Sequence, residues 1–274
     1  MLRALVATQL GGERAAALAD GLVVHPTLLQ PADRASRAVI AQALGIILFD
    51  DLLGRVPSAA AYAEDRWAGG RHLLLDHAVV HTVAGVACGE LAPGRESVAR
   101  ILRPLGYTSP TTTGGGRMWS HLDLPDDLPR YLVDEVAADG FSDEFAAAAA
   151  RVVRSARDPL TGLAQVHLDR LGSDGHLPRH AAESLLGELV ACFARHHGTP
   201  ALEDYETLRA ESEEMAWIAT EGTAWHHAAV VVDAPPAASG AVMSATIERS
   251  FKVGERATVL RTVPGSYLEV ITSG

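Results

Sequence analysis

The sequence predicts an α+β fold in which two β-α-β-β modules form one open curved sheet, a half-barrel around a shared cleft. Three observations carry this expectation. Runs rich in β-branched residues cluster in two stretches, 71–137 and 223–274. Each stretch opens on a His-bearing strand (Asp76-His77-Ala78-Val79-Val80; His226-His227-Ala228-Ala229-Val230) and ends on a strand holding Tyr and Glu (Tyr131-Leu132-Val133-Asp134-Glu135-Val136; Tyr267-Leu268-Glu269-Val270). The other stretches repeat apolar residues at helical intervals. Residues 1–70 read as N-terminal helices and 138–222 as a helical insertion, all within a single domain spanning 1–274.

In chain order, Glu13–Asp20 and Ala35–Leu44 have helical periodicity, with Asp33 a plausible helix start and Pro57 a break. Leu75–Val83 is a strand closed by Ala84-Gly85. Glu96–Arg103 is a short amphipathic helix stopped by Pro104 and Gly106. Thr111–Gly116 is turn material, followed by strands at Arg117–Asp123 and Arg130–Val136. Helical patterning holds from Ser142 to about Thr220, packed with the N-terminal helices. A strand follows at Trp225–Asp233, then a helix around Ala241–Glu248, and strands at Ala257–Val263 and Ser266–Thr272.

The chain has 274 residues, 48% hydrophobic and 21% charged, the profile of a globular protein with ample core. Its net charge of −11 argues against a nucleic-acid or anionic-membrane partner. Cys88 and Cys192 stand alone, which excludes thiolate zinc and iron–sulfur sites. Met1–Val6 carries one positive charge and too short an apolar run for a signal peptide, and no window is apolar enough to span a bilayer. The expected location is cytoplasmic.

The candidate chemistry lies on the opening strands. His77 and His81 are four residues apart and therefore share one face of a strand. That spacing covers roughly 13 Å, too far to share one ion, so one is expected as a ligand and the other as pocket wall. His226 and His227 are adjacent and point to opposite faces, so only one can enter the cleft, and parity does not decide which. Glu269 sits among Leu268, Val270 and Ile271, where a lone carboxylate is costly unless paired or metal-bound. Glu135 is its counterpart in the first module. Two histidines and a carboxylate form a facial triad that leaves adjacent positions open, as suits Fe(II) binding a chelating substrate and O₂ together. The other histidines are taken as solvated or structural.

These residues, with Leu105-Gly106-Tyr107, Leu128-Pro129-Arg130 and Val263-Pro264-Gly265-Ser266 in the same order, resemble the 2-oxoadipate dioxygenase/decarboxylase (2-hydroxyglutarate synthase) family. That family is similar in architecture to vicinal-oxygen-chelate enzymes. The resemblance runs from about His72 to the C-terminus and implies iron ligation by His77, His227 and Glu269, leaving Glu135 off the metal. It implies an Fe(II)-dependent reaction of a 2-oxo acid with O₂, an oxidative decarboxylation followed by hydroxylation of the remaining fragment. The family pattern places an Arg four residues after the first ligand, a clamp for the substrate's distal carboxylate. Here that position is His81, which lacks the planar fork and is mostly neutral near pH 7. The expected reaction is therefore on a 2-oxo acid with a less acidic tail than 2-oxoadipate, or a different oxygenation altogether, as in a specialised biosynthetic pathway. Arg261 and Tyr267 are further pocket candidates, Tyr267 because it shares a strand face with Glu269. The alternatives are another vicinal-oxygen-chelate activity (isomerase, hydrolase or extradiol-type dioxygenase) or a non-catalytic small-molecule binder.

Overall fold

The computed structural model describes residues 1–109, 112–113, 116–232, 247–252, 255–261 and 266–272. The chain opens with α1 (Leu2–Leu10), α2 (Gly12–Gly21), a short strand β1 (Arg34–Ser36), α3 (Arg37–Arg55) and α4 (Pro57–Ala68). The long helix α3 starts at Arg37, four residues after Asp33. Arg34–Ser36 pairs antiparallel with β7 (His176–Pro178), and the Ser36 hydroxyl then caps the helix by accepting from the Val39 N–H at 3.3 Å. Pro57 disfavours helical backbone at Val56, which ends α3 and lets α4 begin on the proline itself.

The first module contains β2 (Leu74–Ala84), α5 (Glu96–Leu102), β3 (Tyr107–Thr108), β4 (Thr112–Thr113), β5 (Gly116–His121) and β6 (Arg130–Ala137). The insertion supplies α6 (Asp143–Val153), α7 (Gly162–Asp174), α8 (Arg179–Ala191), α9 (Leu202–Glu211) and α10 (Glu213–Glu221). The second module has β8 (His227–Val232), β9 (Ile247–Lys252), β10 (Glu255–Arg261) and β11 (Tyr267–Thr272). The strands form one open mixed sheet in the order β3-β5-β6-β2-β8-β11-β10-β9, with β4 pairing β5.

The two modules are related by the pairing itself. β6 runs parallel to β2, β11 runs parallel to β8, and β2 and β8 meet antiparallel with Ala78 opposite Ala228. A rotation about that point carries His77 onto His227. The first module has two strands more than expected, β3 and β4, and the second has one, β9. Thr112–Thr113, within the expected turn, pairs with β5. Ile247 and Glu248, expected at the end of a helix, open β9 and pair with Leu260 and Val259 of β10. The rest of that expected helix, 241–246, lies outside the described residues. A short helix is marginal alone, whereas pairing along a sheet gives the same residues backbone partners.

The sheet has a helical layer on each face. Ala78, Val80, Tyr131, Val133, Ala228, Val230 and Leu268 point one way, into a core shared with α1, α3 and α8. On the other face, Val83 and Val136 join a smaller core with Phe145, Leu208, Met215 and Ile218 from α6, α9 and α10. The insertion is thus divided. Only α7 and α8 pack with the N-terminal helices as expected, and α9 and α10 roof the opposite face. Among the described residues no helix is long and apolar enough to cross a membrane.

Candidate metal centre

Strand alternation brings the candidate residues to the roofed face. His77, Val79 and His81 alternate with the buried Ala78 and Val80, and Val79 lies directly opposite His227. Tyr267 pairs with His227 and Glu269 with Ala229, so both share that face. His77, His227 and Glu269, all half-buried, each offer a ligand atom within 4.8 Å of the others. Glu269 is not on an edge strand, because β11 is flanked by β8 and β10.

The first histidine is oriented by its neighbour. A bulge between Leu75 and His77 breaks the alternation, and the His77 Nδ1–H donates to the Asp76 carboxylate at 2.7 Å. Arg130 donates to both oxygens of Asp76, at 2.6 and 2.7 Å. Burial alone raises the Asp76 pKa, but the His77 hydrogen bond and the Arg130 charge outweigh it and hold the group below the usual carboxylate range. With Nδ1 engaged, His77 presents Nε2 to the cluster, the arrangement by which a carboxylate fixes a ligating imidazole.

His227 stacks on Tyr267, with ring centroids 4.2 Å apart and planes 10° apart. Its Nδ1 lies 3.0 Å from Nδ1 of His226, one donating to the other. The expectation that only one of these two enters the cleft is corrected. β8 begins at His227, so strand parity does not govern His226. The His226 N–H is tied to the Val79 carbonyl at 2.9 Å, and its ring turns inward against His81 at 4.7 Å and Trp217 at 5.1 Å.

His81 lies outside the three-residue cluster and lines a cavity of about 520 Å³ between the sheet and the roof. It is 5% exposed, and neither ring nitrogen has a hydrogen-bond partner. Burial pushes its pKa down, and the nearby Asp134 and Glu214 only partly oppose this. Tyr267 lines the same cavity. Arg261 is the last residue of β10, paired with Tyr267, and only its backbone is described.

Glu135 is not the counterpart of Glu269. In register, Glu269 stands two residues beyond the partner of His227, and the position two beyond the partner of His77 is Leu132. Glu135 lies on the opposite face of β6, where it accepts from the Arg95 N–H at 2.8 Å. Asp76, Arg130 and the roof residues Tyr205, Arg209, Glu213, Glu214 and Trp217 were not singled out from the sequence. Asp76 stands beside His77 in the motif, but the bulge that turns the two together has no sequence signal.

Two antiparallel-joined modules with an open sheet define a glyoxalase-like, vicinal-oxygen-chelate-like fold. The chain is 36% identical, over 99% of its own length and 94% of the other, to a protein from Ralstonia eutropha JMP134 provisionally assigned to the glyoxalase superfamily, with a TM-score of 0.88. The family model described as 2-oxoadipate dioxygenase/decarboxylase matches residues 117–249. Hydroxyglutarate synthase from Oryza sativa, solved in complex with 2-oxoadipate, aligns at a TM-score of 0.56 and 16% identity over 89% of this chain and 85% of that one. Hydroxyglutarate synthase from Pseudomonas putida aligns at 0.60 and 13%, over 88% and 66%. No curated protein matches. The chain belongs to one family with the Ralstonia protein, and its residues 117–249 are similar to the 2-oxoadipate dioxygenase/decarboxylase family.

Proposed function

We propose that the protein is a non-heme Fe(II) oxygenase acting with O₂ on a 2-oxo acid. The observation that supports this best is the meeting of His77, His227 and Glu269 on the roofed face of the sheet. Two imidazoles and one carboxylate fit a ferrous facial triad, since that donor set leaves room for a bidentate substrate and O₂. When bound, the metal supplies the site for 2-oxo acid chelation and the redox chemistry with O₂.

The chain's own contribution is orientation and exclusion. Asp76, pinned by Arg130, fixes the His77 ring, and Tyr267 holds the plane of His227. Trp217 and Ala216 on α10 cover the cavity and limit the water around the reacting end of the substrate. His81 is kept neutral by burial and offers one donor and one acceptor to the remainder of the substrate.

The test is ferrous reconstitution without air, addition of a panel of 2-oxo acids, and measurement of O₂ uptake and CO₂ release once air is admitted. Coupled uptake and release that need both iron and His77 support the oxygenase. A second reading, isomerase or hydrolase chemistry on another divalent metal, is favoured by the glyoxalase-superfamily relative. Turnover with zinc or nickel and no O₂ uptake would establish it instead.

A further inference from the structure

The roof cavity has a charge pattern of its own. Among the described residues, Asp134, Glu213 and Glu214 line it, against one guanidinium, Arg209. Among the described residues, the half-buried Asp134 carboxylate has no hydrogen-bond or ion-pair partner, and neither has that of the exposed Glu213. Glu214 accepts from the Ser212 hydroxyl, at 2.9 Å, and from its own backbone N–H. Among the described residues, Arg209 has no carboxylate within ion-pairing distance. Arg55, whose guanidinium lies 5.8 Å from the Trp217 ring centre, is paired with Asp51 and bonded to the Trp225 carbonyl, so its charge is largely spent.

An acidic lining alone marks no site. The second observation is His81, 5% exposed, facing the cavity with both ring nitrogens unpartnered. A buried imidazole with neither nitrogen satisfied is costly, and a ligand reaching it would remove that cost. Position agrees with this. Asp134 pairs with His81 in register, two residues along β2 from Val79, the residue opposite His227. That separation is roughly 7 Å, within reach of a short alkyl chain whose oxo-acid end lies at the cluster.

Building on the oxygenase reading, we propose that the substrate is a 2-oxo acid whose far end carries a positive charge, an ammonium or guanidinium group. Asp134, Glu213 and Glu214 hold the charge beside His81. The Trp217 ring, also in the lining, adds a face suited to a cation. Where relatives bound to 2-oxoadipate must accommodate a second carboxylate, this cavity presents carboxylates of its own, which repel one.

Calorimetric titration of the ferrous protein without air tests this with three ligands of equal chain length. They are 2-oxohexanoate, 2-oxoadipate and 6-(trimethylammonio)-2-oxohexanoate, whose quaternary nitrogen cannot close onto the ketone. The cationic ligand is expected to bind about tenfold more tightly than the neutral one, and 2-oxoadipate more weakly than both. D134N should cut the cationic preference by roughly two- to fivefold, and R209Q should increase it. Binding of 2-oxoadipate as tight as that of the cationic ligand overturns the cationic tail. If all three bind equally and require iron, the tail falls and the oxygenase reading stands. If none binds, or binding ignores the metal, both fall.

Discussion

Two nitrogens of one imidazole explain much of the centre's geometry. The His77 Nδ1–H is committed to Asp76, so only Nε2 is free to face Glu269 and His227. Substituting Asp76→Asn removes the charge that holds that ring and leaves the strand pairing intact. Metal affinity should fall about ten- to a hundredfold, read by titration of Fe(II) into folded protein. Histidines also set a pH limit. Burial holds His81, His121 and His196 below the usual histidine range. Their folded pKa values lie below the unfolded value of about 6.5, so the unfolded chain takes up protons first as the pH falls. Their contribution to stability is present above that pH and is lost as acidification proceeds toward the folded values. The melting temperature should drop below about pH 6.5, less steeply in H81Q than in wild type. Of these residues, His77 and Glu269 could be picked from the sequence because alternation and apolar neighbours mark them, whereas His227 was separated from His226 only by the family resemblance. His226 could not, because its inward turn depends on where β8 begins.

The roof helix α10 depends on its first turn. Ser212 caps it by accepting from the Met215 N–H at 3.1 Å, and the same hydroxyl donates to Glu214. Ser212→Ala should destabilise the protein by about 1 kcal/mol, seen as a lower denaturation midpoint. Amide exchange should quicken in α10 before it does in β2. Long periodic elements such as β2, β6 and α3 were legible because one buried face repeats along them. β4 and β9 were not, since a two-residue strand and a strand following a long Pro/Ala-rich stretch take their identity from partners distant in sequence. Nor does amphipathic patterning reveal that α7 and α8 join one core while α9 and α10 roof the other face. It identifies an apolar stripe and leaves its partner unspecified.

At the scale of the molecule, the two modules share one sheet whose rear face is a single packed core. Leu268 is fully buried there, on the strand that carries Tyr267 and Glu269. Leu268→Ala should cost about 2–5 kcal/mol and lower the melting transition of the whole protein. The duplication was visible as two His-led, Tyr-and-Glu-ended stretches. Its register was not, and matching Glu135 to Glu269 by composition missed the true counterpart, Leu132. The asymmetry has a chemical consequence, for the cluster takes one histidine from each module and its carboxylate from the second alone.

Whether His77, His227 and Glu269 together hold a metal is read directly by anaerobic titration of Fe(II) into wild type and E269Q. One ion per chain is expected for wild type, with binding weakened by at least about tenfold in E269Q. An unchanged affinity and stoichiometry in E269Q, with the fold retained, would place the metal elsewhere and contradict the assignment of His77, His227 and Glu269 as a single centre.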